Sequence, residues 1–283
     1  MMSLLKKTRR LLHTYQTFPK KRLGQNFMID EDLLRLMVSG ASLDKNDVVL
    51  EIGAGLGFLT RLLSQKCKQV IAVEVDPRLM RILRTELQDL ENVKLIRGDV
   101  LKVPIPSFDK VVSNPPFYIS SPILFWLLDK TFERATVTFQ KEFAERLVAL
   151  AGTREYGRLT VMTYYRADVE LLEFVSRDMY YPQPEVGSYI VGLKPKPPPF
   201  IVQDKQAFFN LVQILFTQRN KKVRNAITPF LARLGIAKEK VLAVADSLSY
   251  HDRRVRELAP EDFGALANEI VKKKDILQKL SNS

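Results

Sequence analysis

The stretch Asn114-Pro115-Pro116-Phe117 points to one kind of chemistry. An exocyclic amine on a nucleobase is a poor nucleophile, because its lone pair is delocalised into the ring. Alkylating it requires acceptors for its N–H groups, a flat surface for the base, and a methyl donor held in line. The Asn114 side-chain oxygen and the Pro115 carbonyl are candidate acceptors. Phe117 is a candidate stacking surface, and the two prolines stiffen the loop. No strong base is needed, because the amine sheds its proton readily once alkylated, so positioning and dipoles suffice.

A donor site is expected at Glu51-Ile52-Gly53-Ala54-Gly55-Leu56-Gly57, about 60 residues earlier. Backbone approaches a ligand closely only where side chains are absent, which Gly53 and Gly55 allow. A dinucleotide fingerprint has its third glycine one position later than Gly57. A donor without phosphate, such as S-adenosylmethionine, does not need that geometry. Glu74 follows Gly53 by 21 residues at the end of an apolar run, where a carboxylate accepts both ribose hydroxyls. Asp99, after Gly98, is placed to accept from an adenine amine, and is equally suited to capping a turn. Upstream, Asn26 and Met28 are candidates to bond and pack on the donor. The competing reading is a plain helix start with Asp30 as N-cap.

These residues need a scaffold that brings them together. Asp30 to Ser39 has amphipathic helical spacing, and so does Arg78 to Leu90. A helix begins at Phe58. Val48 to Ile52, Val70 to Val75, Val93 to Ile96, Lys110 to Ser113 and Ala135 to Phe139 read as buried strands. Strands and helices alternating at this spacing form an open parallel sheet of the α/β class. The glycine turn, Glu74, Asp99 and Asn114 then all fall at or just past strand C-termini, where such sheets bind ligands. A helix is expected over 142–150 and late strands over 159–165 and 188–193. Pro195, Pro197, Pro198 and Pro199 form a stiff linker, and a helical segment follows from about 205.

The boundaries implied are a basic arm over 1–29, a catalytic domain over 30–194 and a smaller C-terminal helical domain over 200–283. The 283 residues carry a net charge of +12, unevenly spread. Residues 1–29 hold seven basic residues and no acid, residues 200–283 have a net charge of +6, and the middle is left at −1. Two basic ends on a near-neutral body suggest a polyanion gripped by the ends. Lys20, Lys21, Arg22, Arg219, Lys221, Lys222 and Arg224 are the candidate phosphate contacts. An Arg/Lys-rich, acid-free beginning also suits a mitochondrial presequence. The basic run, however, leads directly into Gly24-Gln25-Asn26-Phe27, which favours an RNA-contacting arm.

A single cysteine, Cys67, precludes an internal disulfide and fits a reducing, cytoplasmic setting. His13 and His251 stand far apart, so neither a metal site nor a histidine base is expected. No apolar run is long enough for a membrane span, and a monomer is expected.

Taken together, these motifs resemble the ribosomal RNA adenine N6,N6-dimethyltransferase family. The resemblance runs from Lys21 to about Phe263. It includes Gly24-Gln25-Asn26-Phe27, Glu51 to Gly57, Val73-Glu74-Val75-Asp76, Gly98-Asp99 and Asn114 to Ser120. It also takes in Gln140-Lys141-Glu142, Tyr156 to Thr160, Pro182 to Ser188, Phe216 to Arg219 and Arg224-Asn225. The resemblance implies a class I (Rossmann-like) methyltransferase sheet and S-adenosylmethionine as cofactor. The implied reaction is dimethylation of two adjacent adenines near the 3′ end of small-subunit rRNA, on the rRNA or a subunit precursor, with a role in ribosome biogenesis. The family's usual loop is Asn-Leu-Pro-Tyr, and the loop here instead matches the Asn-Pro-Pro-Tyr/Phe shared with DNA adenine and protein glutamine methyltransferases. Those enzymes are one rival reading. A non-catalytic ribosome-assembly or transcription factor on the same fold is the other.

Overall fold

Almost continuous apolar runs build the central strands, because both faces of a parallel sheet are covered by helices. The computed structural model describes residues 2–281, with side chains through Lys273, and the chain divides into two compact units. The first comprises Met1–Ala144 and Asp168–Pro195. It begins with α1 (Leu4–Thr14), β1 (Phe27–Met28), α2 (Glu31–Gly40), β2 (Val48–Ile52) and α3 (Phe58–Ser64). Then come β3 (Gln69–Glu74), α4 (Pro77–Glu86), β4 (Val93–Arg97), β5 (Lys110–Ser113), α5 (Ser120–Leu128) and β6 (Arg134–Gln140). The chain leaves this unit within α6 (Lys141–Leu147). After α7 (Arg158–Tyr164) in the second unit, it returns as β7 (Ala167–Val175), β8 (Tyr180–Tyr181) and β9 (Ser188–Pro195).

Seven strands form one sheet in the order β4-β3-β2-β5-β6-β9-β7. The pairings from β4 through β6 are parallel, and β9 runs antiparallel to β6. Val49, Leu50, Val70, Ile71, Val111 and Val112 are fully buried at its centre. The strand order reverses between β2 and β5, and the crevice above that switch point is where open α/β sheets hold ligands. Asp30 caps α2 by accepting from Leu33 N at 2.9 Å. Asp76 caps α4 by accepting from Arg78 N at 3.0 Å, with Pro77 in the first turn.

The second unit comprises Glu145–Ala167 and Lys196–Ser283. Besides α7 it holds α8 (Lys205–Phe216), α9 (Val223–Ala226), α10 (Thr228–Arg233), α11 (Lys238–Asp246) and α12 (Pro260–Ser281). Phe208, Leu211, Val212 and Leu215 form its buried stripe.

Three expectations are corrected. The first concerns residues 159–165, which form helix α7 and not a strand. Gly157 N donates to Thr160 Oγ1, which in turn bonds the Arg146 carbonyl, and four successive residues from Thr160 to Thr163 are buried. An alternating reading of that segment misses a helix buried on several sides. The second is the 30–194 boundary, because residues 145–167 pack with the helical unit and the sheet is completed by strands that follow them. The third is the basic arm, whose first half is an ordered helix. Leu11 and Leu12 of α1 are buried with Phe27, Leu56, Leu79 and Ile82. The Arg9 guanidinium lies over the Tyr181 ring, 5.4 Å from its centre.

Candidate active site

The turn after β2 places Gly53, Gly55 and Gly57 at φ 79°, 60° and 82°. Side chains are also excluded by space there. A Cβ on Gly53 would meet Pro116 at 3.3 Å, and one on Gly55 would meet the Phe27 ring at 3.3 Å. One cavity at the switch point is lined by every residue assigned to donor or catalysis: Asn26, Met28, Gly53, Gly55, Glu74, Asp99, Asn114, Pro115 and Phe117.

Glu74 is almost fully buried at the end of β3. Its Oε2 accepts from Gly55 N at 3.0 Å and its Oε1 from Asp76 N at 2.8 Å. Each oxygen keeps a lone pair for a further donor. Burial holds the carboxyl above its ordinary pKa, against hydrogen bonds from the Asp76 and Gly55 backbone. Asp99 is the cap of its turn. Its Oδ1 caps the turn by accepting from Leu101 N at 3.1 Å, while its Oδ2 lies 3.7 Å from Lys102 Nζ and the residue lines the cavity. Asn26 Nδ2 donates to the Gly24 carbonyl at 3.3 Å. Met28 is core as much as lining, only 3% exposed.

The acceptor loop continues into a short 3-10 turn, Phe117–Ile119, after Pro116. Asn114 Oδ1 accepts from Thr138 Oγ1, a fully buried hydroxyl on β6. A carbonyl oxygen has two lone pairs, so one remains for a substrate amine. Phe117 packs edge-on against Tyr180, with ring centres 6.0 Å apart. Burial pushes the Tyr180 hydroxyl up to about 12, and that hydroxyl shares a hydrogen bond with Ser188 at 2.7 Å. Tyr118 also lines the cavity and is 58% exposed.

Sequence reasoning missed three participants. Thr138 orients Asn114 from a strand 24 residues away, and no local pattern announces it. Glu51 was counted as strand, yet it lines the cavity at 1% exposure, and its Oε2 has no hydrogen-bond partner among the described residues. Burial pushes this carboxyl up to about 8. A charge inside an apolar strand run was the available signal. The third is Asp76, whose side chain is fully buried behind Glu74.

The structure separates the basic candidates by what they already hold. Lys21 and Arg22 are exposed in the 3-10 turn Lys21–Leu23, while Lys20 Nζ lies 3.8 Å from Asp76. In the second unit Arg219 donates to the Thr153 and Arg154 carbonyls at 2.8 and 2.7 Å. Lys222 pairs with Asp252 at 2.9 Å, and Arg224 lies 3.5 Å from the same carboxylate. Lys221 is exposed and makes no ion pair among the described residues. No group of His, Cys, Asp or Glu among the described residues is arranged to hold a metal. No helix among them is long and apolar enough to cross a membrane.

A sequence model of the family described as "Ribosomal RNA adenine dimethylase" matches residues 18–261. The chain is 43% identical over 249 residues to the "Probable ribosomal RNA small subunit methyltransferase A" of Methanosarcina barkeri, covering 87% of this chain and 86% of that one. To the Thermococcus kodakarensis protein of the same description it is 40% identical, covering 95% of each. Its fold resembles a dimethyladenosine transferase from Plasmodium falciparum, with a TM-score of 0.77 and 29% identity over 87% of this chain and 97% of that one. With the glycine turn after β2, the Glu74 carboxylate and the Asn114 loop gathered at one switch point, the chain belongs to the ribosomal RNA adenine dimethylase family.

Proposed function

We propose that this protein dimethylates the N6 amines of two adjacent adenines near the 3′ end of small-subunit rRNA, on the rRNA or on a subunit precursor. As a family member it is an rRNA adenine methyltransferase that uses S-adenosylmethionine. The observation that carries the finer reading is the meeting of Asn114 with Glu74 and Gly55 in one cavity.

The residues suit such a donor. Glu74 accepts from ribose hydroxyls with its remaining lone pairs, and Asp99 accepts from the adenine amine. Gly53 and Gly55 leave room for the chain of the donor. The unpartnered Glu51 oxygen offers a buried acceptor for an ammonium group. Bound there, S-adenosylmethionine supplies an electrophilic methyl group. Asn114 Oδ1 and the Pro115 carbonyl accept from the target amine and orient its lone pair, and Phe117 carries the face of a base withdrawn from its stack. Of the seven candidate phosphate contacts, Lys21, Arg22 and Lys221 make no ion pair among the described residues and are left for phosphate, whereas Lys20, Arg219, Lys222 and Arg224 first hold their own surroundings in place.

The rival readings are not favoured, since the relatives are described as rRNA methyltransferases along nearly their whole length. The single, buried free thiol of Cys67 suits a reducing, cytoplasmic setting. The test is mass mapping of modified adenines in small-subunit rRNA treated with the protein and labelled donor. Two neighbouring dimethyladenines are expected. Modification of DNA or of peptide glutamine in preference to rRNA would overturn the assignment.

A further inference from the structure

The segment from Leu23 to Met28 forms one wall of the cavity, and it is tied down at both ends. At its C-terminal end β1 pairs with β8, and Ile29 N donates to the Met179 carbonyl at 2.9 Å. At its N-terminal end the ties are side chains. Gln25 Nε2 donates to Asp76 Oδ2 at 2.9 Å, Gln25 Oε1 accepts from Lys20 N at 2.7 Å, and Lys20 Nζ lies 3.8 Å from the same Asp76 oxygen. Asp76 N in turn donates to Glu74 Oε1, and Glu74 Oε2 accepts from Gly55 N. An unbroken chain of hydrogen bonds therefore runs from the covering segment through Asp76 to the ribose carboxylate and the glycine turn.

We propose that Gln25 and Asp76 form a clasp that holds the segment Lys20–Met28 closed over the donor, so that Gln25 is a positioning residue for donor binding. The inference rests on reading this cavity as the S-adenosylmethionine site. An amide suits the position because it donates to a buried carboxylate on one side and accepts from a backbone N–H on the other. Burial works against the charge on Asp76, yet hydrogen bonds from Arg78 and Gln25 outweigh it and hold the carboxyl well below its usual range. Between the two ties the segment passes Gly24, where a Cβ would come within 3.0 Å of the Tyr118 ring and 3.2 Å of Pro116. The covering segment thus also leans on the acceptor loop.

The experiment is donor titration of the full chain by calorimetry, with S-adenosylmethionine, for the wild type, Gln25→Ala, Gln25→Glu and the double variant Gln25→Glu/Asp76→Asn. Gln25→Ala should weaken binding by about tenfold, as for loss of a hydrogen bond to a charged group. Turnover at saturating donor should barely move. Gln25→Glu, which sets two carboxylates against each other, should be weaker still. The double variant should recover part of the loss relative to Gln25→Glu, because the amide introduced at position 76 then donates to the carboxylate introduced at position 25 while its oxygen still caps α4, although that amide also faces the Arg78 guanidinium, which Asp76 Oδ2 holds at 2.7 Å. In parallel, trypsin cleavage after Lys21 or Arg22 should quicken in Gln25→Ala, and donor should slow it in the wild type. A wild type that binds donor while the Gln25 variants bind it equally well overturns the clasp alone. A wild type that binds no donor overturns the site reading and the clasp with it. A double variant no better than Gln25→Glu also overturns the clasp, since the mirrored hydrogen bond would then count for nothing.

Discussion

At the β3 end of the cavity Glu74 accepts with both carboxylate oxygens from backbone N–H groups, those of Gly55 in the glycine turn and of Asp76 at the start of α4. On the acceptor side Asn114 is held by one hydroxyl, that of Thr138, and the aromatic face is set by one edge-on contact with Tyr180. The donor half is therefore part of the fold's own hydrogen bonding, while the acceptor half is mounted on it. Changes on the donor side should disturb binding and stability together. Changes on the acceptor side should remove rate and leave the rest intact.

The sharpest break is Asn114→Ala, which should lower single-turnover methylation by about a hundredfold or more with donor affinity unchanged. A loss of only a few fold would remove Asn114 from the chemistry. Glu74→Ala should weaken donor binding by about 2–3 kcal/mol and lower the melting temperature as well, because the Gly55 and Asp76 N–H groups lose their acceptor. Calorimetry and thermal melts on one preparation check both halves of that statement. Phe117→Ala should reduce methylation by roughly 5- to 150-fold, the rate equivalent of about 1–3 kcal/mol of base stacking, with Phe117→Tyr restoring most of it. If packing on Tyr180 were the whole role, Phe117→Leu would be as active as wild type.

Thr138→Val tests the mounting. Turnover should fall by about tenfold at unchanged donor affinity, and Thr138→Ser should retain it. A last test is a pH effect at Glu51. Its carboxyl is raised to about 8 in the folded protein, so it stays protonated there through a range where the unfolded chain ionises. The stability it carries is complete below about pH 4.5 and is lost as pH rises towards 8. Glu51→Gln removes that loss, so chemical denaturation should show the variant gaining on wild type from about pH 5 to about pH 8.5. A constant difference across that range would mean that Glu51 does not titrate there.

Truncation extends the comparison to the N-terminal segment. Read as a free arm, residues 1–19 would be removable at no cost to donor binding. In the structure Leu11 and Leu12 cover Leu56 of the glycine turn and Leu79 and Ile82 of α4. Removing the helix should therefore weaken donor binding along with RNA binding.

Local pattern determined a good deal. Apolar runs of four to six residues between helical periods specified a parallel sheet, and Asp30 announced the helix it caps. That Gly53, Glu74, Asp99 and Asn114 would line one cavity was legible because each sits at or just past a strand end, and strand ends of such a sheet converge. The segment 159–165 was misread because several of its faces are buried, which erases the helical period. Only the tertiary structure decided which groups are left free. Thr138 meets Asn114 across the sheet, Gln25 reaches Asp76 across 51 residues, and Arg219 is spent on two carbonyls while Lys221 is not. Periodicity reports which face of an element is apolar, because that depends on near neighbours in the chain. Hydrogen-bond partners are chosen among atoms that only folding brings within about 3 Å, and no spacing along the chain encodes that choice.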